Sequence, residues 1–155
     1  MYDRQKTVNY ANTWALKRNP NYYDFSLLGG DCTNFCSQCL YAGAGIMNYT
    51  ALVGWFYNSI NSRAPAWTGV EEFCNFLTKN KGVGPYGELT TLSNLEVGDF
   101  IQLGNSNGFY HCLVISGFNG AVPLVCSHSY DRLNTLITSY YYERIRFIKI
   151  LGVRY

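Results

Sequence analysis

Cys32 stands where a thiol is well placed to act as a nucleophile. It follows two glycines in the run Gly29-Gly30-Asp31-Cys32-Thr33-Asn34-Phe35-Cys36-Ser37-Gln38. Cys32, Phe35, Cys36, Cys39 and Leu40 recur at i, i+3, i+4, i+7 and i+8, the spacing of one apolar helix stripe. Asn34, Ser37 and Gln38 fall elsewhere on the same helix. Cys32 is therefore predicted to be the first residue of a buried helix face, at the positive end of the helix dipole. That position is expected to lower the thiol pKa and to favour the thiolate, the form that attacks carbonyl carbon.

A thiol nucleophile needs a base, and the chain has two histidines. His111 opens His111-Cys112-Leu113-Val114-Ile115-Ser116, an apolar run that reads as a buried strand. Asn119-Gly120 follows, a strong hairpin signal, and then a second run from Ala121 to Cys126 leading to Ser127 and His128. With Asn119 and Gly120 as the central turn residues, His111 faces His128 in a non-hydrogen-bonded pair, where side chains come closest. Pro123 disturbs that register. It would face Ser116 at a hydrogen-bonded position with no N–H to give, and a bulge there would move His128 off the face.

The chemistry these residues suggest is acyl transfer. The thiol attacks an amide carbon, and the imidazole takes its proton and returns it to the leaving amine. A third polar group orients the imidazole, with His128 the first candidate and Asp131 the second. The backbone N–H of Cys32, in the first helical turn and without a helical partner, is available to an oxyanion.

The segment Asn19-Pro20-Asn21-Tyr22 … Gly29-Gly30-Asp31-Cys32-Thr33-Asn34-Phe35-Cys36-Ser37-Gln38-Cys39-Leu40 resembles the signature of the bacterial putative amidase domain family. That family is related to the NlpC-type and CHAP cysteine peptidases of the papain-like clan. Three later pieces match in order: Leu95-Glu96-Val97-Gly98-Asp99-Phe100-Ile101-Gln102, the strand His111 to Ile115, and Ser127-His128-Ser129-Tyr130-Asp131-Arg132. Trp55 and Trp67 also stand where the family tends to carry tryptophans. Cys36 departs from the pattern, where a small apolar residue such as Val or Ala is more usual. The resemblance implies Cys32 as nucleophile, His111 as base and His128 as third member. It further implies amide bonds of bacterial peptidoglycan as substrate class, in stem peptides or at the sugar–peptide link, with no cofactor.

Composition fits one soluble enzyme-sized domain over residues 1–155, long enough to bury a core without staples. Charged residues make up 14% and the formal net charge is +2, with no basic run, so nucleic acid is not an expected partner. No apolar stretch is long enough to span a membrane, and Met1-Tyr2-Asp3-Arg4-Gln5 is no signal peptide. Either the chain is made without a leader or it is a domain excised from a longer secreted protein. An extracytoplasmic, cell-wall location is expected in the second case. Oligomeric state has no signal.

The other five cysteines sit inside apolar patterns. Cys36 and Cys39 share the Cys32 stripe, Cys74 lies in the stripe Val70, Phe73, Cys74, Leu77, and Cys112 and Cys126 lie in the hairpin strands. They read as free, buried small hydrophobes. Cys32-x3-Cys36-x2-Cys39 also matches the spacing with which radical SAM enzymes hold an iron–sulfur cluster, but those enzymes need a large barrel. Zinc has no support, for lack of a second Cys-x-x-Cys pair.

The elements that would position this chemistry follow an α+β order. Helices are predicted at about Arg4–Arg18, from Cys32 to a stop at Gly43-Ala44-Gly45, and at Val70–Lys79. Ile46 to Thr68 reads as a long functional loop, and Lys81 to Pro85 as a break. Strands are predicted at Asp99–Leu103, His111–Ser116, Val122–Ser127 and about Glu143–Gly152. This is a papain-like layout, N-terminal helices with the nucleophile helix packed on a C-terminal antiparallel sheet.

Several residues have two readings. Asp31 either binds a substrate ammonium or caps the helix. Trp55, Phe56, Tyr57 and Trp67 either line a groove for peptide or sugar, or pack over the helices. Tyr22 or Tyr23 is a candidate to help hold the oxyanion. Asp99 after Gly98 reads as a turn residue. The main reading is a cysteine amidase or peptidase working through a thioester, by hydrolysis or by transfer to another acceptor. The alternative is a wall-binding module with a vestigial thiol. Thiol reactivity separates the two.

Overall fold

Asp3 begins the first helix by accepting the Lys6 N–H at 3.0 Å, an N-cap bond that satisfies a first-turn donor. The computed structural model describes all 155 residues. Helix α1 spans Arg4–Trp14, four residues short of the predicted Arg18. Its last carbonyl, that of Trp14, is bonded by a histidine ring from the far end of the chain, so a tertiary contact fixes where it stops.

Helix α2 runs Cys32–Ala44 and ends on Gly45, whose φ of 73° supplies the left-handed C-cap that glycine takes without strain. Its predicted stripe is buried, and so are Asn34, Ser37 and Gln38 on the polar side. They are not solvated because they hold neighbouring elements. Ser37 Oγ donates to the Trp67 carbonyl and accepts from Trp55 Nε1, and Gln38 Oε1 accepts the Tyr10 hydroxyl.

The stretch read as one long loop contains a small hairpin, β1 (Tyr57–Ser59) and β2 (Ser62–Arg63), and a short helix, α3 (Pro65–Thr68). Helix α4 is Val70–Lys79, as predicted. Six antiparallel strands follow: β3 (Gly84–Thr90), β4 (Phe100–Asn105), β5 (Gly108–Asn119), β6 (Val122–Ser127), β7 (Arg132–Leu136) and β8 (Arg144–Arg154). The sheet order is β3-β8-β4-β5-β6-β7. Strands β3 and β7 were not predicted, and they are the two sheet edges. An edge strand needs no period-2 pattern of buried residues and tolerates Pro85 and the bulged Gly87.

The sheet separates two cores. On the helix side, α2 contributes Phe35, Cys36, Cys39 and Leu40 against Phe100, Cys112, Val114, Cys126 and Ile148. On the other side lie Leu95, Ile101, Leu103, Leu113, Ile115, Val125 and Ile137. Arg4 ties α1 to the sheet, donating to Asp99 Oδ1 and to the carbonyls of Val97 and Ile150. Asp99 is fully buried in that tie, which fits its reading as a structural turn residue.

The β5–β6 hairpin differs from the predicted register. Asn119 pairs with Val122, so Gly120 and Ala121 are the central turn residues. A bulge between Ile115 and Gly117 then sets Val114 opposite Cys126. Pro123 faces Phe118, and the bulge falls at Ser116. Carried on, this register sets His111 opposite Ser129, beyond the end of β6, so His111 does not face His128.

Candidate active site

Gly29 and Gly30 have φ of +85° and +100°, backbone that side-chain-bearing residues rarely adopt. They turn the chain so that Cys32 begins α2. Cys32 is 8% exposed, and its side-chain hydrogen-bond partner is Thr33 Oγ1 at 3.8 Å. The Cys112 backbone, in β5, favours the Cys32 thiolate, as do the Thr33 hydroxyl and N–H. Burial and the nearby Cys112 thiol oppose them, and burial wins: the Cys32 pKa is pushed up to about 11. The expected depression by the helix dipole is thus outweighed by desolvation.

His111 and Cys32 both line one cavity of about 420 Å³. Leu103, Tyr110, Ser129, Tyr130, Arg132, Ser139, Tyr140 and Tyr141 complete its lining with Gly29 and Gly30. The cavity lies where β6 has ended and the edge of β5 is uncovered. His111 has the parity of Leu113 and Ile115, whereas Cys32 packs with Cys112 and Val114. The thiol and the imidazole therefore approach the cavity from the two faces of the sheet. The His111 ring makes no hydrogen bond and lies 6.0 Å from the Tyr140 ring, centroid to centroid. Burial pushes its pKa down to about 4. At neutral pH the cavity thus holds an uncharged thiol and an uncharged, unbonded imidazole.

The expected third member is corrected. His128 is 1% exposed and stacks on Phe35, centroids 4.0 Å apart. Its Nδ1 meets Asp31 Oδ2 at 2.6 Å and its Nε2 donates to the Trp14 carbonyl at 2.8 Å. Both nitrogens are occupied, so neither can orient His111. Asp131 is also taken, by a two-bond contact from Arg18 at 2.8 and 3.0 Å.

Asp31 is corrected too. It is fully buried and cannot meet a substrate ammonium. It stands at the N-cap position, yet its carboxylate bonds no backbone N–H of α2. Oδ1 accepts from the Phe25 N–H and from Asn34 Nδ2, and Oδ2 meets His128. Its own N–H donates to Ser129 Oγ. Asp31 thus staples the residue before Cys32 to the loop after β6.

The aromatic groove is not formed by the predicted residues. Trp55 and Trp67 are 0% exposed. Trp67 Nε1 donates to Asn34 Oδ1 at 2.9 Å, and the two indoles lie 4.9 Å apart. Tyr22 is stacked on Trp67 with its centroid 6.0 Å away and does not line the cavity. Tyr23 packs edge-on against Phe25. Cavity residues the sequence did not single out include Arg132, Tyr110, Tyr140 and Tyr141. They lie on three separate segments, and no local pattern marks them.

All six cysteines are buried and free. Cys32 and Cys39 are separated by seven residues of one helix, about 10 Å at 1.5 Å per residue, with their side chains in packed core.

Comparison with known proteins decides the family. A model of the putative amidase domain matches residues 1–151. The chain belongs to that family. Among curated proteins, it is 33% identical over 135 residues to the uncharacterized protein YhbB of Bacillus subtilis (strain 168), covering 84% of this chain and 42% of that protein. It is 29% identical over 142 residues to the uncharacterized protein YjcM of the same organism, covering 86% and 32%. The chain therefore spans less than half the length of these relatives. No solved structure matches it. The family assignment points to a hydrolase of amide bonds. No helix is long and apolar enough to cross a membrane.

Proposed function

We propose that this putative amidase domain is a cysteine amidase or peptidase, with Cys32 as nucleophile and His111 as base. The observation that carries the reading is the shared cavity: a thiol at a helix start and an unbonded imidazole are the two reactive groups lining it. The layout, a nucleophile helix against an antiparallel sheet, supports kinship with NlpC-type and CHAP peptidases and a single papain-like domain.

Because both groups rest uncharged, the thiol is deprotonated as it attacks rather than beforehand. His111, which has no hydrogen bond to break, takes the proton by side-chain rotation or across one water. The Sγ–carbonyl bond forms and the amide oxygen becomes an oxyanion. The Cys32 N–H, at the positive end of α2, donates to it. The imidazolium then protonates the amine, the C–N bond breaks, and a thioester remains. Water, deprotonated by His111, releases the acid and restores the thiol.

Peptidoglycan amides are the substrate class this reading favours, and no cofactor enters the steps. The test is purified peptidoglycan with mass spectrometry of released fragments, comparing native protein with Cys32→Ala. We expect the substitution to abolish release while the circular dichroism and melt stay near native. Equal release from both removes Cys32 from the mechanism. A chain that only binds the wall would release nothing in either form.

A further inference from the structure

The charge around the cavity has a sign. No Asp or Glu lines it, and its thiol and imidazole rest uncharged. Arg132, the first residue of β7, is its one permanent charge. The carboxylate next in sequence, Asp131, is bound on two oxygens by Arg18 and does not neutralise it. The Arg132 guanidinium has no carboxylate partner of its own. Its two contacts are 3.4 Å approaches to the carbonyls of Tyr130 and Asp131. Its backbone is paired opposite Ser127, which roots the exposed side chain at the cavity rim.

A guanidinium presents N–H groups in a planar fork that fits a carboxylate with two bonds. Exposed tyrosines stand beside it: Tyr130 is 89% and Tyr141 84% exposed. We propose that Arg132 is a specificity-determining anchor for a carboxylate, so that the amide presented to Cys32 belongs to an acidic substrate. This deepens the amidase reading and rests on it for the word substrate. It reverses the sign expected from Asp31, whose carboxylate is buried away from the cavity.

The test needs no turnover. Iodoacetate carries a carboxylate and iodoacetamide is its neutral counterpart; each alkylates sulfur with loss of iodide. The rate of each at Cys32 is followed by mass spectrometry, with Cys32→Ala identifying the site and 2-mercaptoethanol as neutral reference thiol. We expect the iodoacetate-to-iodoacetamide ratio at Cys32 to exceed that of the reference roughly tenfold at low ionic strength and to decline with added salt. Arg132→Gln should return it to the reference value, and Arg132→Lys should keep part of the preference. A native ratio equal to the reference overturns the proposal without any variant, as does an unchanged ratio in Arg132→Gln. A Cys32 reached by neither reagent also overturns it. Charge selectivity without peptidoglycan release leaves the anchor standing and defeats the peptidoglycan-amidase reading. Release without charge selectivity does the reverse.

Discussion

Asp31 Oδ2 and His128 Nδ1 lie 2.6 Å apart, both buried, one residue ahead of the candidate nucleophile. The second ring nitrogen donates to a carbonyl that can only accept. Nε2 is therefore the donor in that bond. This pair joins the end of α1, the turn into α2 and the loop after β6.

Its removal should unfold rather than merely inactivate. His128→Ala removes a buried ring and its bond to a buried carboxylate that keeps Arg18, the Phe25 N–H and Asn34, a change expected to cost about 3 kcal/mol. In a domain of this size that is a fall in Tm on the order of 10 °C. Thermal melts of His128→Ala and Asp31→Asn check it. Variants that melt with the native protein yet lose activity would return His128 to the chemistry.

His111 should make the fold acid-sensitive. Its folded pKa is lowered from 6.5 to about 4, so below 6.5 the unfolded chain binds a proton that the folded chain refuses. This contribution is full above 6.5 and is lost as pH falls from 6.5 through about 4. Urea midpoints across that window should drop less in His111→Asn than in native protein. Parallel curves would show the imidazole to be solvated.

Cys32 alkylation should keep accelerating in alkali. With the thiol raised to about 11, the iodoacetamide rate is expected to climb from pH 9 through 11. A plateau reached at neutral pH would mean a preformed thiolate and would contradict the burial argument. The same shift has a stability sign. The unfolded thiol ionises first, so the folded state loses this contribution as pH rises from about 9 through about 11.

Trp67 should behave as core. Trp67→Ala removes a fully buried indole and its bond to Asn34, and is expected to cost about 3–5 kcal/mol in urea unfolding. Trp67→Phe should cost less. A stable Trp67→Ala variant with weakened ligand binding would restore the groove reading.

Much of the fold is legible in local pattern. The α2 stripe, the Val70–Lys79 helix and the strand Val122–Ser127 follow from apolar spacing, because one buried face imposes its period on the sequence. The edge strands β3 and β7 escape that logic. Each is hydrogen-bonded on one side only, and their glycines, proline and polar residues carry no alternation.

The site divides the same way. Cys32 and His111 are marked by what surrounds them in the chain: two glycines opening a helix, and an apolar strand. The roles of Asp31, His128, Trp55 and Trp67 were settled only by packing. A one-residue bulge at Ser116 set the register that separates His128 from His111. Burial, a property of the assembled core, then reversed the expected shift of the Cys32 thiol and closed the tryptophans to ligand. Sequence by itself determined which residues are candidates for the chemistry and which helix and strand carry them, since those follow from neighbours along the chain. Tertiary structure decided what each faces, because register and desolvation depend on residues about a hundred positions away, as Asp31 and His128 are.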